Sequence, residues 1–360
     1  MDQCTKAQSL ARRMGAGWNL GNTLDACDLR RGPYVPDAQS RSLENAWFNP
    51  TTTRAMIDLV AAAGFRTLRV PVTWYQHIDD ANGWQVNPSW MARVREVVEM
   101  GLDAGLIVVL NVHHDTGISG WLRASAEGYA RAAEKFRALW QQIAERFRDV
   151  DDRLIFEGLN EILDDEGHWQ CPGVDCTEVV NRYHQDFVDT VRQTGGNNAD
   201  RVLMINAYAG AHEPEAMEGF RMPRDTATGC LMAQVHYYSP IDFCFPEECG
   251  KYTAVTWREL GGETMLQDMI ARMEDKFLVH GVPVVVGEFA AAHKDNEPEQ
   301  ASWARYLASQ LSAHAMPYIW WDNGGRDREP YRGMGLLDRR ALRWRFPAVV
   351  EALTGTRPSC

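Results

Sequence analysis

The 360-residue chain has no long apolar run. Its longest, Leu106 to Val112, is the length of a strand and far short of the ~20 residues that cross a bilayer. It also lacks positive charge: the formal net charge is −12, which argues against nucleic acid, because phosphate binding needs a positive field. No G-x-G-x-x-G and no P-loop follows any apolar run, so the common nucleotide-binding signatures are missing. No composition shift or low-complexity linker divides the sequence, and one domain over residues 1–360 is expected. The start, Met1-Asp2-Gln3, is already polar with no leader visible, which leaves either a cytosolic protein or one whose leader has been removed.

Cysteine is not scarce. There are eight, and two pairs are spaced alike, C-P-G-V-D-C at Cys171/Cys176 and C-F-P-E-E-C at Cys244/Cys249. Pairing each of these, with Cys4/Cys27 and Cys230/Cys360 tying down the termini, is one of many possible connectivities. An even count in this pattern leans towards a secreted or periplasmic protein whose leader is absent from this sequence. Zinc is one alternative, but neither pair has the tight spacing of a metal finger; free structural thiols in a cytosolic protein are the other.

Two stretches organise the rest. Leu154 to Ile162 (L-I-F-E-G-L-N-E-I) and Val282 to Phe289 (V-P-V-V-V-G-E-F) are short apolar runs that end in Glu161 and Glu288. Such runs, bounded by turn residues, read as buried strands. A carboxylate at the tip of a buried strand loses solvation unless it has partners or a task. Further strands are expected at Ala16–Gly21, Phe65–Val70, Leu106–Val112, Arg201–Asn206, Leu231–Val235 and Tyr318–Trp321, with the two above at 154–159 and 282–287. Between them apolar residues recur at helical spacing over 51–63 (capped by Thr51), 88–104, 128–147, 177–193, 265–279 and 302–313. The segment 30–50 reads as a loop. Eight strands alternating with helices in one domain predict an α/β fold, a closed (β/α)8 barrel of TIM type. Its active site should lie at the C-terminal ends of the strands.

The strand tips are polar. They offer Asn19 and Asn22, Arg69, His113 and His114, Asn160 and Glu161, His236 and Tyr238, Glu288, and Trp321. Two carboxylates about 5–5.5 Å apart across a barrel mouth suit glycoside hydrolysis with retention. One must be protonated to help the leaving oxygen depart, the other ionised to attack the sugar carbon, so their neighbours should differ. Arg69 is placed to keep the attacking carboxylate charged, and Tyr238 to donate a hydrogen bond to it. Asn160 suits a sugar 2-hydroxyl, and Trp321 offers a flat face to a pyranose. Glu157 alternates onto the face of Leu159 and Glu161 and reads as the partner of an interior arginine rather than a third catalytic acid. His113-His114-Asp115 is a poor metal triad because adjacent strand residues face opposite ways, and no metal or cofactor is expected. His114 reads as a groove residue.

Of thirteen tryptophans, Trp140 and Trp303 fall on apolar helix faces and read as core. Trp47, Trp74, Trp121, Trp169 and Trp257 fall in loops after strand ends, where stacking on sugars is expected, Trp47 first among them.

The motifs G-W-N-L-G-N-T-L-D-A (17–26), E-N-A-W-F-N-P (44–50), R-V-P-V-T-W (69–74), V-H-H-D (112–115), F-E-G-L-N-E-I (156–162), V-H-Y-Y-S-P (235–240), V-G-E-F (286–289) and W-W-D-N-G (320–324) run through nearly the whole chain. Together they resemble glycoside hydrolase family 5, the cellulase family. The resemblance implies Glu161 as acid/base and Glu288 as nucleophile, with Arg69, His113, Asn160, His236, Tyr238 and Trp321 in support. It implies an endo-acting β-1,4-glucanase without cofactor, a monomer whose partner is a polysaccharide and neither nucleic acid nor membrane. Asn22, Trp47, His114 and Trp321 are the expected substrate-binding residues. The same machinery on xyloglucan or β-mannan is the alternative, and a non-catalytic carbohydrate-binding barrel a remote one. Two positions depart from the family pattern: Ile162, where many members carry proline, and Phe48, where glycine is frequent.

Overall fold

A computed structural model describes residues 4–117, 120–245, 256–325 and 333–358. Eight parallel strands close into a barrel: β1 Ala16–Leu20, β2 Thr67–Val70, β3 Ile107–Asn111, β4 Leu154–Glu157, β5 Leu203–Asn206, β6 Leu231–His236, β7 Val284–Phe289 and β8 Tyr318–Asp322. Each pairs with its sequence neighbour, and β8 returns to β1 through Ala16↔Tyr318. The expected (β/α)8 architecture is present, with strand limits shifted by one or two residues at several ends.

Helices α1 Lys6–Met14, α2 Arg54–Ala62, α3 Pro88–Asp103, α4 Ala126–Arg146, α5 Val174–Gln193, α6 Gly262–Lys276, α7 Glu297–Ala313 and α8 Pro347–Thr354 frame the barrel. Local chemistry starts them. Thr5 and Gln8 form a reciprocal capping box at α1, Pro88 stands in the first turn of α3, and Ser125 accepts from the Gly128 amide at α4. At α2 the cap is Thr53, which accepts from Met56, rather than the expected Thr51. Thr53 has the extended backbone that a cap requires, immediately before the first helical residue. The segment 30–50 is less loop-like than its composition suggests, since it holds short helical turns at Leu29–Arg31, Asp37–Ser40 and Arg41–Asn45.

The barrel interior is stacked. At the N-terminal end Ile107, Val109, Ile155, Met204, Met232, Val285 and Ile319 pack on Ala7, Leu10, Ala11 and Met14 of α1, which plugs that end. A second core, with Phe136, Leu139, Trp140, Ile143 and Trp303 among its members, lies between strands and helices. Above the apolar plug the interior turns polar, with Asn19, Arg69, Asn111, Glu157, Asn206 and Gln234 all buried. That step from apolar to polar carries the chain from scaffold to site.

The pairing of Cys4 with Cys27 is not formed. Cys4 precedes the plug helix while Cys27 follows the C-terminal end of β1, so the barrel stands between them. Cys171 and Cys176 are also free thiols, and the Cys171 sulfur instead lies against the Gly173 carbonyl and the Thr177 hydroxyl. Cys249 and Cys360, the expected partners of Cys244 and Cys230, lie outside the described residues. No helix among the described residues is long and apolar enough to cross a membrane.

Candidate active site

Side chains along β2 and β4 alternate inward, which brings Arg69 and Glu157 face to face in the polar layer. The Arg69 fork takes Glu157 through Nε and Nη2 at 2.7 and 2.6 Å. Its remaining reach goes upward, Nη1 to Glu288 Oε1 at 2.6 Å and Nη2 to Asn160 Oδ1 at 2.8 Å. Burial works against the arginine charge, but Glu157 and Glu288 outweigh it and hold the guanidinium more firmly protonated than usual. The interior arginine expected for Glu157 is therefore Arg69. Leu159, expected on the same face, packs instead in the outer core, because the strand ends at Glu157 and the chain turns there.

Glu288 reaches the mouth by a backbone irregularity. Val285 and Gly287 alternate inward, so a regular strand would turn Glu288 outward. The register between β6 and β7 shifts at Val235/His236, and Glu288 lies opposite His236. Bulges of this kind re-aim side chains at barrel rims. The other Glu288 oxygen accepts from Tyr238 Oη at 2.9 Å. Burial, then the charge of Glu288, holds the Tyr238 phenol protonated well beyond its ordinary range.

Glu161 has different company. Its Oε1 lies 2.7 Å from His236 Nδ1, and its side chain is 21% exposed against 6% for Glu288. His236 Nδ1 is 3.6 Å from Glu288 Oε2, so one imidazole stands between the carboxylates. Burial opposes charge on His236, yet Glu288 and then Glu161 pull its protonation upward. One oxygen of Glu161 and one of Glu288 lie within 4.8 Å of each other.

His113 is buried, stacks on Trp321 with centroids 5.5 Å apart, and takes a hydrogen bond from Asn111. Burial, then the nearby His114, Arg69 and His236, keeps it neutral. His114 does not turn away from His113 as strand alternation would have it: both follow the end of β3, their rings meet edge to face at 4.4 Å, and the His114 ring also faces Trp47 at 5.4 Å and Asp25 at 3.6 Å. Asn22 adopts a left-handed backbone (φ 54°) beside them, its amide N–H donating to Asp25 at 2.9 Å. A Cβ on Gly21 would come within 2.8 Å of the Trp321 ring, so that glycine makes room for the indole. All the expected site residues thus converge on one rim.

The tryptophans divide. Trp47 is half-buried on the rim, and Trp169 is exposed on the loop that follows Glu161. Trp121 is tied to Asp115 through its indole N–H. Trp74 and Trp257 are fully buried, contrary to expectation. Trp74 donates its indole N–H to the Asn111 carbonyl and its backbone N–H to Asp115, so it fills the core beneath the loop. Among the described residues, Glu161/His236/Glu288, Asp25/His113/His114 and Asp164/Glu166/His168 each bring ligand-type atoms within 4.8 Å. In the first of these Arg69 already pairs with Glu288, and in the second His113 spends Nδ1 on Asn111.

Sequence reasoning overlooked Asn111 and Gln234. Each is a lone polar residue in an apolar strand, two positions before a site histidine, and that spacing was the available signal.

Comparison with known proteins agrees with this geometry. The cellulase model of glycosyl hydrolase family 5 matches residues 31–327. Endoglucanase A of Clostridium longisporum is 36% identical over 349 residues, 96% of this chain and 65% of that protein. Endoglucanase 1 of Ruminococcus albus is 35% identical over 350 residues, 96% of this chain and 80% of that one. This chain therefore spans about two thirds to four fifths of those two relatives. Among solved structures, a broad-specificity endoglucanase of Ruminococcus champanellensis with bound cellotriose superposes with TM-score 0.88 at 35% identity, covering 98% of this chain and 99% of that one. A family 5 lichenase from a Caldicellulosiruptor species, in complex with cellotetraose, gives 0.89 at 32% identity, with 98% and 95% covered. With the barrel, the paired carboxylates and matches over nearly the whole length, the chain belongs to glycosyl hydrolase family 5, the cellulase family.

Proposed function

We propose that this chain is a retaining endo-β-1,4-glucanase in which Glu288 is the nucleophile and Glu161 the acid/base. The observation that carries the assignment is the approach of the two carboxylates to within 4.8 Å. So close an approach fits the roughly 5–5.5 Å spacing of a retaining pair better than the roughly 6.5–9.5 Å of an inverting one. Their surroundings divide the roles. Glu288 is held by a guanidinium and a phenol, as an ionised nucleophile needs. Glu161 touches an imidazole and faces solvent, where protons and leaving groups pass.

In the first step a Glu288 oxygen bonds to the anomeric carbon as the glycosidic C–O bond breaks, and Glu161 gives its proton to the departing oxygen. In the second, Glu161 takes a proton from water. The water oxygen bonds to the same carbon, and Glu288 leaves as carboxylate. Two inversions give net retention. Asn160, fixed by Arg69, is positioned for the sugar 2-hydroxyl, whose hydrogen bond strengthens at the transition state. His113 orients Trp321 by stacking, and Trp321, Asn22, Trp47 and His114 line the groove on that side.

Cello-oligosaccharides bound by the relatives' structures support β-1,4-glucan, and a lichenase among them supports mixed-linkage glucan. Polymeric glucan does not enter cells, which supports an exported enzyme. It works as one monomeric catalytic domain over residues 1–360, without metal or cofactor. The test is reducing-sugar release from carboxymethylcellulose, barley β-glucan, xyloglucan and β-mannan in the presence of chelator. The wild type should cut the glucans, and Glu161→Ala and Glu288→Ala should each lose about 10³-fold or more. Variants that cut as well as wild type would overturn the assignment.

A further inference from the structure

We propose that Gln234 sets the tautomer of His236 and thereby aims the acid proton of Glu161 at the substrate. The inference rests on the acid/base role proposed for Glu161.

Met232, Gln234 and His236 alternate into the barrel along β6, so the Gln234 amide lies directly beneath the imidazole. Gln234 is 1% exposed, and its Nε2 is 2.9 Å from His236 Nε2. An amide nitrogen only donates, so His236 Nε2 must present its lone pair and the ring proton must sit on Nδ1. Nδ1–H then donates to Glu161 Oε1 at 2.7 Å. With Oε1 committed as acceptor, the acid proton of Glu161 resides on Oε2. Oε2 makes no hydrogen bond among the described residues and is free to meet the glycosidic oxygen. The other tautomer would present a lone pair at Nδ1, accept that proton from Glu161, and hold it away from the leaving group.

The amide orientation has its own physical ground. Gln234 Oε1 is buried without a partner among the described residues. One of the two amide N–H groups meets His236; turning the amide over would leave both without a partner, and a buried unpaired donor is tolerated less well than a carbonyl oxygen. A second, independent feature is Gly287. A Cβ there would come 2.2 Å from Gln234 Nε2 and 2.6 Å from its Cδ, so only glycine before Glu288 lets the amide reach the ring.

The charges around His236 make this control necessary. Glu161 from the β4 tip and Glu288 from β7 favour an imidazolium, while Arg69 from β2 opposes it. His113 from β3 is neutral, the Tyr238 phenol is protonated, and on the β5 side the ring meets the backbone of Gly210. An imidazolium would turn an N–H at Nε2 against the amide N–H, and this contact biases the ring towards neutrality. Gln234 touches no substrate and acts as a positioning residue.

The direct test is nitrogen NMR of histidine-labelled wild-type enzyme at its pH of maximal activity, with His236 assigned from the His236→Asn spectrum. His236 Nε2 should resonate as an unprotonated nitrogen and Nδ1 as a protonated one; a protonated Nε2 overturns the inference. The second test is Gln234→Glu, which replaces the donor by an acceptor once the new carboxyl ionises. Its kcat/KM on cellotetraose should fall about tenfold or more relative to wild type as pH rises through that ionisation. On a dinitrophenyl cellobioside, whose leaving group needs no proton, it should stay within about threefold over the same range. Equal losses on both substrates, or no loss on either, would mark Gln234 as merely structural. Full activity of Glu161→Ala on cellotetraose would instead overturn the acid/base assignment itself, whichever tautomer His236 adopts.

Discussion

The guanidinium of Arg69 grips Glu288 with one nitrogen at 2.6 Å while its other two clamp Glu157 at 2.6 and 2.7 Å. One cation therefore serves the proposed nucleophile and the barrel interior together. An ammonium is a point charge without a planar fork and cannot span both carboxylates and Asn160. Arg69→Lys is accordingly expected to lower kcat on β-glucan by about 10²-fold or more with little change in KM. Steady-state reducing-sugar kinetics decide this, and a variant within threefold of wild type would remove Arg69 from the machinery.

Glu157 has no route to substrate, since it sits below Arg69 with no exposed surface. Its contribution is to the fold. Breaking a buried ion pair costs about 3–5 kcal/mol where the remaining charge has no other partner, and this is an upper bound here because Arg69 keeps Glu288. Glu157→Gln should therefore show a loss of up to that size in urea unfolding, while the folded fraction still turns over substrate. Unchanged stability with abolished turnover would reverse the reading and make Glu157 catalytic.

Short apolar runs bounded by turn residues, alternating with segments of helical spacing, made the barrel legible. The site was legible because tip residues such as Glu161 and His236 are polar where the run stops. What escaped has a physical cause in each case. Helix α1 was missed because it is only nine residues long and two of its four apolar positions, Ala7, Leu10, Ala11 and Met14, are alanine. Trp74 was misread because a loop tryptophan can be drawn inward by long-range partners, here Asn111 and Asp115, that no local pattern reveals. The free thiols of Cys4 and Cys27 follow from the barrel standing between them, which spacing along a chain does not encode.

Asp115 gives the fold a pH dependence of predictable sign. Burial pushes its carboxyl up to about 6 from 3.8, against the lowering effect of hydrogen bonds from Trp74 and Trp121 and of Lys135. The folded state thus holds a proton that the unfolded chain releases between those two values. Its stabilising contribution is present in full below the unfolded value and is lost as pH rises through about 6. A shift of this size corresponds to about 3 kcal/mol at most. Thermal melts of wild type and Asp115→Asn should therefore converge or cross between acid and neutral pH, with wild type losing ground as pH rises. Parallel curves over that range would show that Asp115 does not titrate there.

Trp74 and Trp169 both follow site strands but answer to different forces. Trp74 is wholly buried with its indole N–H satisfied, so Trp74→Ala opens a cavity and should cost about 3–5 kcal/mol in unfolding. Trp169 is 60% exposed, and the backbone of its loop is fixed by neighbours. His168 donates its backbone N–H to Asp164, and Tyr208 bonds the His168 carbonyl at 2.6 Å. An exposed indole on an anchored loop beyond Glu161 would offer a platform to a sugar ring. Trp169→Ala should leave the unfolding midpoint within experimental error and raise KM for long cello-oligosaccharides several-fold, with kcat little changed. The rise should shrink as the oligosaccharide is shortened, because a chain that does not reach the loop gains nothing from it. A KM that is unchanged for every chain length would place Trp169 outside the groove.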